Sequence, residues 1–136
     1  MNDPARLRVL VVDDFEPLRK IVRAVLSKSG SPTLRDAVVA EAADLSEART
    51  KLSTDVFDVV ILDLSLPDGS GFNLIHELTA APPPGGMPVV LAASGDAPAR
   101  PKALEAGCAD FLLKPYSPDE LVEMLAEQSP VPVVWG

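Results

Sequence analysis

Five short apolar runs, each followed by a stretch of helical periodicity, constrain this chain more than anything else in it. They cover residues 7–12, 37–42, 57–62, 89–93 and 109–113 and are rich in Val, Ile, Leu and Ala. The clearest of them are apolar almost throughout, which marks strands buried on both faces. Buried strands that alternate with helices require a parallel sheet covered on both sides and joined by right-handed crossovers. The expected class is α/β, a doubly wound, five-stranded parallel sheet of (βα)5 form. At 136 residues the chain is long enough for one such domain.

Local signals place the helices. Pro17 suits the first turn of one whose Leu18, Ile21, Val22 and Val25 form a stripe, with Arg19, Lys20 and Arg23 outside; Gly30-Ser31-Pro32 ends it. The connection to the second strand is longer than a compact unit needs. Asp44 and Glu47 have capping-box spacing for a helix over 45–52. Residues 64–71 read as a loop from their Pro, Asp and Gly content. Phe72, Ile75 and Leu78 mark the third helix, closed by the Pro82–Gly86 breaker, and a poorly patterned fourth lies between Pro98 and Ala106. Ser117, Pro118 and Glu120 open the last helix. The domain is expected over 1–128, followed by a short tail, 129–136. Val131, Val133, Val134 and Trp135 of that tail are expected to fold back over the domain or stay loose, a docking strip or homodimer contact being the other reading.

Composition excludes several classes. The chain is 47% apolar, yet no run approaches the ~18 apolar residues of a membrane span. Met1-Asn2-Asp3-Pro4 has no signal-peptide pattern, so the expectation is a cytoplasmic protein without a membrane partner. A formal net charge of −8 opposes direct binding to nucleic acid, whose affinity comes from Lys and Arg on phosphates. Cys108 is the only cysteine, unable to form an internal disulfide and expected to be a small core or loop residue.

The chemistry is carried where strands run out. Asp13-Asp14 follow the first strand, Asp63 the third and Lys114-Pro115 the fifth. In an open parallel sheet those ends share one side, where ligands bind. Carboxylates gathered there must protonate or recruit a cation. Mg²⁺ is the natural guest, a hard ion that takes one or two carboxylates and keeps room for phosphate oxygens, while a lysine supplies a point charge for the same phosphate. Asp13-Asp14 taken alone also reads as an ordinary turn or cap. His76 reads as a solvated helix residue. Gly69-Ser70-Gly71 fits neither a dinucleotide fingerprint, which lacks its third glycine at Leu74, nor a nucleophile elbow, which would need glycine at Asp68.

Three stretches together, Val11-Val12-Asp13-Asp14, Asp63-Leu64-Ser65-Leu66-Pro67-Asp68-Gly69 and Gly107 to Pro115, resemble the receiver domain of bacterial two-component response regulators over roughly residues 7–128. The resemblance implies a flavodoxin-like fold with strand order 2-1-3-4-5. It implies that Asp63 accepts a phosphoryl group from a histidine kinase or phosphotransfer protein. Asp14, Asp13, Asp63 and the backbone carbonyl of Ser65 would hold Mg²⁺, Lys114 would pair with the phosphoryl group, and Pro115 would follow a cis bond. Phosphorylation would switch a protein-binding face formed by the fourth strand, fourth helix, fifth strand and fifth helix. Such a chain is a phospho-accepting switch rather than an enzyme, though water could discharge the mark past Ser65.

The sequence also departs from that pattern. Receivers carry Thr or Ser at the end of the fourth strand; counting back from Lys114 lands on Ala92, and the nearest hydroxyl is Ser94, which is the expected switch residue. Phe111 stands where many relatives have Tyr, and Phe15 where an acidic residue commonly follows the aspartate pair. A missing hydroxyl would favour a pseudo-receiver, a protein-interaction module that is never phosphorylated. A phosphatase acting through aspartyl phosphate would usually carry a second Asp where this chain has Ser65.

Overall fold

The computed structural model describes residues 6–135, so the polar start Met1–Pro4 lies outside the described residues, as does Gly136. Five strands form one parallel sheet: β1 (Arg8–Val12), β2 (Val38–Ala42), β3 (Val59–Asp63), β6 (Val89–Ser94) and β7 (Asp110–Leu113), in the order β2-β1-β3-β6-β7. The remaining strands, β4 (Ser65–Leu66) and β5 (Gly69–Ser70), make a two-stranded hairpin directly after β3. With that hairpin set aside, the order is the expected 2-1-3-4-5 of the flavodoxin-like class.

Among the described residues six helices cover the sheet: α1 (Glu16–Ser27), α2 (Pro32–Arg35), α3 (Leu45–Thr54), α4 (Gly71–Ala80), α5 (Ala99–Ala106) and α6 (Pro118–Gln128). Successive strand side chains point to opposite faces, so each strand supplies two cores. Leu10, Val12, Val60, Leu62, Val90, Ala92 and Phe111 pack with α3, α4 and α5. Val9, Val11, Val59, Ile61, Leu91, Ala93 and Leu112 pack with α1, α2 and α6. This two-sided burial is why the strands are apolar runs rather than alternating ones. Cys108 lies in the first core, and burial pushes its thiol up to about 11, which leaves it protonated.

Two elements were not legible beforehand. The long connection after α1 contains α2, a single turn capped by Ser31, whose Oγ accepts the Leu34 N–H at 3.3 Å. The stretch after Asp63 pairs Ser65 with Ser70 and Leu66 with Gly69 instead of running as an open loop. One of the two expected capping boxes forms in full; in the other Asp44 caps the helix, but the Glu47 carboxylate reaches back to the Ala43 N–H instead of that of Asp44. Ser117 and Glu120 satisfy each other's backbone N–H groups, and Asp44 accepts the Glu47 N–H at 2.8 Å.

Arg19 corrects the expectation that it points outward. Its guanidinium donates to the Asp13 carbonyl at 2.6 Å and to Glu41 at 3.1 Å. Arg23 also bonds Glu41 and donates to the Val39 carbonyl at 2.8 Å, while Lys51 donates to the Glu41 carbonyl. These cations therefore cover the outward-facing acceptors of β2.

The tail folds back over the domain. Ser31 Oγ donates to the Val134 carbonyl at 2.6 Å, and Thr33 Oγ1 accepts the Val134 N–H at 2.9 Å. Val131 and Val133 pack on the core shared by α1 and α6. Deleting residues 129–136 is expected to cost about 2 kcal/mol, the worth of one or two half-buried valines with their hydrogen bonds. Thermal unfolding would register it as a fall of several degrees, and an unchanged melting temperature would show that the tail contributes nothing.

Candidate phosphoryl-acceptor site

Parallel register sets the site. Val12 pairs with Leu62 and Asp63 with Ala93, so β1, β3 and β6 end level with one another. The next residues, Asp13 and Asp14, and the last residue of β3, Asp63, thus arrive at the same end of the sheet. One oxygen from each of these three carboxylates falls within 4.8 Å of the others. Asp13 and Asp63 are 3% and 6% exposed, while Asp14 opens to solvent.

Lys114 closes the cluster from β7. Its Nζ donates to Asp13 Oδ2 at 2.6 Å and to Asp63 Oδ2 at 3.0 Å. The other oxygen of each aspartate accepts a backbone N–H two residues on: Phe15 to Asp13 Oδ1 at 2.9 Å and Ser65 to Asp63 Oδ1 at 3.0 Å. Each carboxylate is thereby held in a turn of its own and shares one ammonium with the other. The Lys114–Pro115 peptide bond is cis.

Burial pushes the Asp63 carboxyl above the ordinary aspartate value, with the Ser65 N–H and Lys114 pulling against it and the Asp13 charge adding to the rise. Burial also works against the Lys114 ammonium, but its bonds to Asp13 and Asp63 outweigh that and raise its pKa. Tyr116 is pushed up to about 12 by burial and then by the charges of Asp13 and Asp63, which keeps its phenol neutral. Three carboxylates against one ammonium leave a site that suits a hard divalent cation with oxygen ligands.

The hairpin supplies the remaining wall. Gly71 N–H donates to the Leu64 carbonyl at 2.9 Å, closing the loop that starts at Asp63. A Cβ on Gly71 would meet the Asp63 carbonyl oxygen at 2.6 Å, so only glycine allows the backbones to approach this closely.

Ser94, the expected switch residue, ends β6 but is not the residue that pairs with Asp63. Ala92, reached by counting back from Lys114, pairs with Leu62 and faces the α3–α5 core. Ala93 pairs with Asp63, and Ser94 lies one residue further, on the opposite side of the pleat. Ser94 Oγ instead accepts the Asp96 N–H at 3.0 Å. The side chain next to Asp63 across the sheet is a methyl group. Phe111 is buried in the α3–α5 core at 4% exposure. His76 lies on the exposed side of α4, outside the site.

A cleft of about 390 Å³, lined by Phe15, Leu18, Ile21, Tyr116 and Pro118, shares Lys114 with the acidic pocket. A larger one, about 570 Å³, lies between Arg49 and Pro82–Pro84 at the other end of the sheet and contains none of these aspartates.

The fold and this cluster define a class, and comparison identifies it. Residues 9–126 match the response regulator receiver domain, and the chain belongs to that family. It is 38% identical over 116 residues to the phosphate regulon transcriptional regulatory protein PhoB of Escherichia coli (strain K12), covering 85% of this chain and 48% of that protein. The chain therefore spans about half the length of that relative. Chemotaxis protein CheY of Thermotoga maritima is 31% identical over 122 residues, 90% of this chain and 97% of that protein. A response regulator protein from Burkholderia pseudomallei, solved with a phosphorylated aspartic acid, calcium ion and citrate, superposes with a TM-score of 0.72 at 25% identity, covering 91% of this chain and 67% of that one.

Removing the ammonium should leave two buried carboxylates facing each other. For Lys114→Met a loss of about 2 kcal/mol at pH 7 is expected, at the lower end for a broken buried pair because Lys114 is partly exposed. The sign follows from Asp63, whose native pKa is raised: stability falls as pH rises from its unfolded value through the native one. The deficit should therefore shrink as the pH is lowered toward the carboxylate range. Chemical denaturation across that range measures it, and a pH-independent deficit would contradict the assignment.

Proposed function

We propose that this domain takes a phosphoryl group onto Asp63, in a Mg²⁺-dependent reaction, from a histidine kinase or phosphotransfer protein of a two-component relay. The observation that carries this is the bridge from Lys114 to Asp13 and Asp63, with Asp14 open beside it. Asp63 is the nucleophile, attacking phosphorus as the donor's imidazole leaves. Asp13, Asp14, Asp63 and the Ser65 carbonyl would hold the cation, which neutralises charge on the phosphoryl oxygens. Lys114 then exchanges its bond to Asp63 for one to the phosphoryl group. The aspartyl phosphate and calcium of the Burkholderia protein provide a precedent within the family.

Donor proteins would cover the apolar cleft that runs from Phe15 to Pro118, because it adjoins the acidic pocket through Lys114. The output face is that of β6, α5, β7 and α6, read by a downstream protein rather than by nucleic acid, with a homodimer as one form of that contact. A cytoplasmic place agrees with the family, and no helix among the described residues is long and apolar enough to cross a membrane.

A second reading, a pseudo-receiver, is favoured by one feature: Ala93, not a hydroxyl, pairs with Asp63. Intact mass after incubation with acetyl phosphate and Mg²⁺ separates the two. The wild type should gain one phosphoryl mass increment, Asp63→Asn none, and Lys114→Ala should react about a hundredfold more slowly, the scale of losing one charge-stabilising donor. A wild-type chain that stays unmodified favours the pseudo-receiver.

A further inference from the structure

We propose that Asp68 is a positioning residue for the cation site, holding the Ser65 carbonyl and the Asp63 carboxylate in place from the far end of the β4–β5 hairpin. The inference rests on the Mg²⁺-dependent reading of Asp63 given above. Asp68 is exposed, at the hairpin tip, yet both its oxygens are used. Oδ1 accepts the Leu45 N–H at 2.9 Å and Oδ2 the Ser46 N–H at 3.0 Å. These are the first two amides of α3, which belongs to a different strand–helix connection from the one that carries Asp63.

The helix has its own cap besides. Asp44 accepts the Glu47 N–H, and the Glu47 carboxylate accepts the Ala43 N–H at 2.6 Å. The hairpin, in contrast, has little else. It has two residues in each strand and two paired positions, too few to be stable on its own. Its other ties are local, the Ser65 N–H to Asp63, the Phe72 N–H to Ser70 Oγ and the Gly71–Leu64 bond beside the burial of Leu66, so among the described residues Asp68 is its hydrogen-bonded tie to a segment distant in sequence. Gly69, at φ +145°, lets the tip lie against α3: a Cβ there would stand 3.1 Å from Leu45 Cδ1.

What the hairpin holds is the site itself. Ser65 begins β4 and donates its N–H to Asp63 Oδ1, so any swing of the hairpin rotates that carboxylate and moves the Ser65 carbonyl with it. Outer groups that orient ligands typically change metal affinity by about 10–100-fold when removed.

The test measures Mg²⁺ affinity by calorimetry, acetyl phosphate labelling by intact mass across Mg²⁺ concentrations, and thermal stability, for four chains of residues 1–136. Asp68→Ala should bind Mg²⁺ about tenfold more weakly, with its labelling rate approaching wild type at saturating Mg²⁺. Asp68→Asn, which keeps one acceptor, should fall between. Asp44→Ala loses a helix cap but leaves the hairpin tied, so its melting temperature should drop while its Mg²⁺ affinity stays that of wild type. Wild-type affinity in Asp68→Ala, or an equal loss in Asp44→Ala, overturns the positioning role while leaving the proposed function intact. A wild-type chain that neither binds Mg²⁺ nor accepts phosphoryl overturns both.

Discussion

One ammonium shared by two buried carboxylates organises the functional end of this molecule. Asp13 and Asp63 come from different strands, and their negative charges would repel at the distance the sheet imposes. Lys114, arriving from the outermost strand on the other side, makes their proximity tolerable. The arrangement is demanding because removing any partner from a poorly solvated cluster leaves charge uncompensated. It also leaves the site poised: the groups that satisfy one another in the resting protein are those that would face a cation and a phosphoryl group, so occupation exchanges partners without building a new pocket.

The scaffold makes such a cluster possible through register. Side chains alternate across every strand, and each strand that ends in the cluster is locked by apolar contacts on both faces. A slip of one residue would turn Ile61 and Leu62 inside out and move Asp63 away from Asp13. The buried, two-sided sheet therefore acts as a ruler. Outside it, polar ties do the placing: Arg19 holds the Asp13 carbonyl, and Asp68 holds the hairpin that follows Asp63.

Much of this was readable in the chain. Continuous apolar runs gave the strands, and capping residues such as Ser117 and Asp44 gave the helix starts, because both signals are local. Asp13, Asp14, Asp63 and Lys114 were legible because each lies at or just past a strand end, and parallel topology alone brings strand ends together. What was missed depended on partners distant in sequence. The hairpin pairing of Ser65 with Ser70 looks like a loop from composition, and Arg19 looks solvent-facing until Glu41 of β2 is placed beside it. Counting from Lys114 reaches Ala92 because it assumes a fixed connection length, and Ser94 stood out only as the nearest hydroxyl. Pleat parity with Asp63, which only pairing reveals, selects Ala93.

The cations that cover β2 have a consequence for association. A sheet that ends in an unpaired strand invites edge-to-edge addition, since a stray segment can complete its ladder. Here Arg23 and Lys51 already occupy the Val39 and Glu41 carbonyls, so an incoming strand would have to displace two charge-assisted hydrogen bonds before forming its own. Self-assembly by β-augmentation is thereby discouraged on this flank.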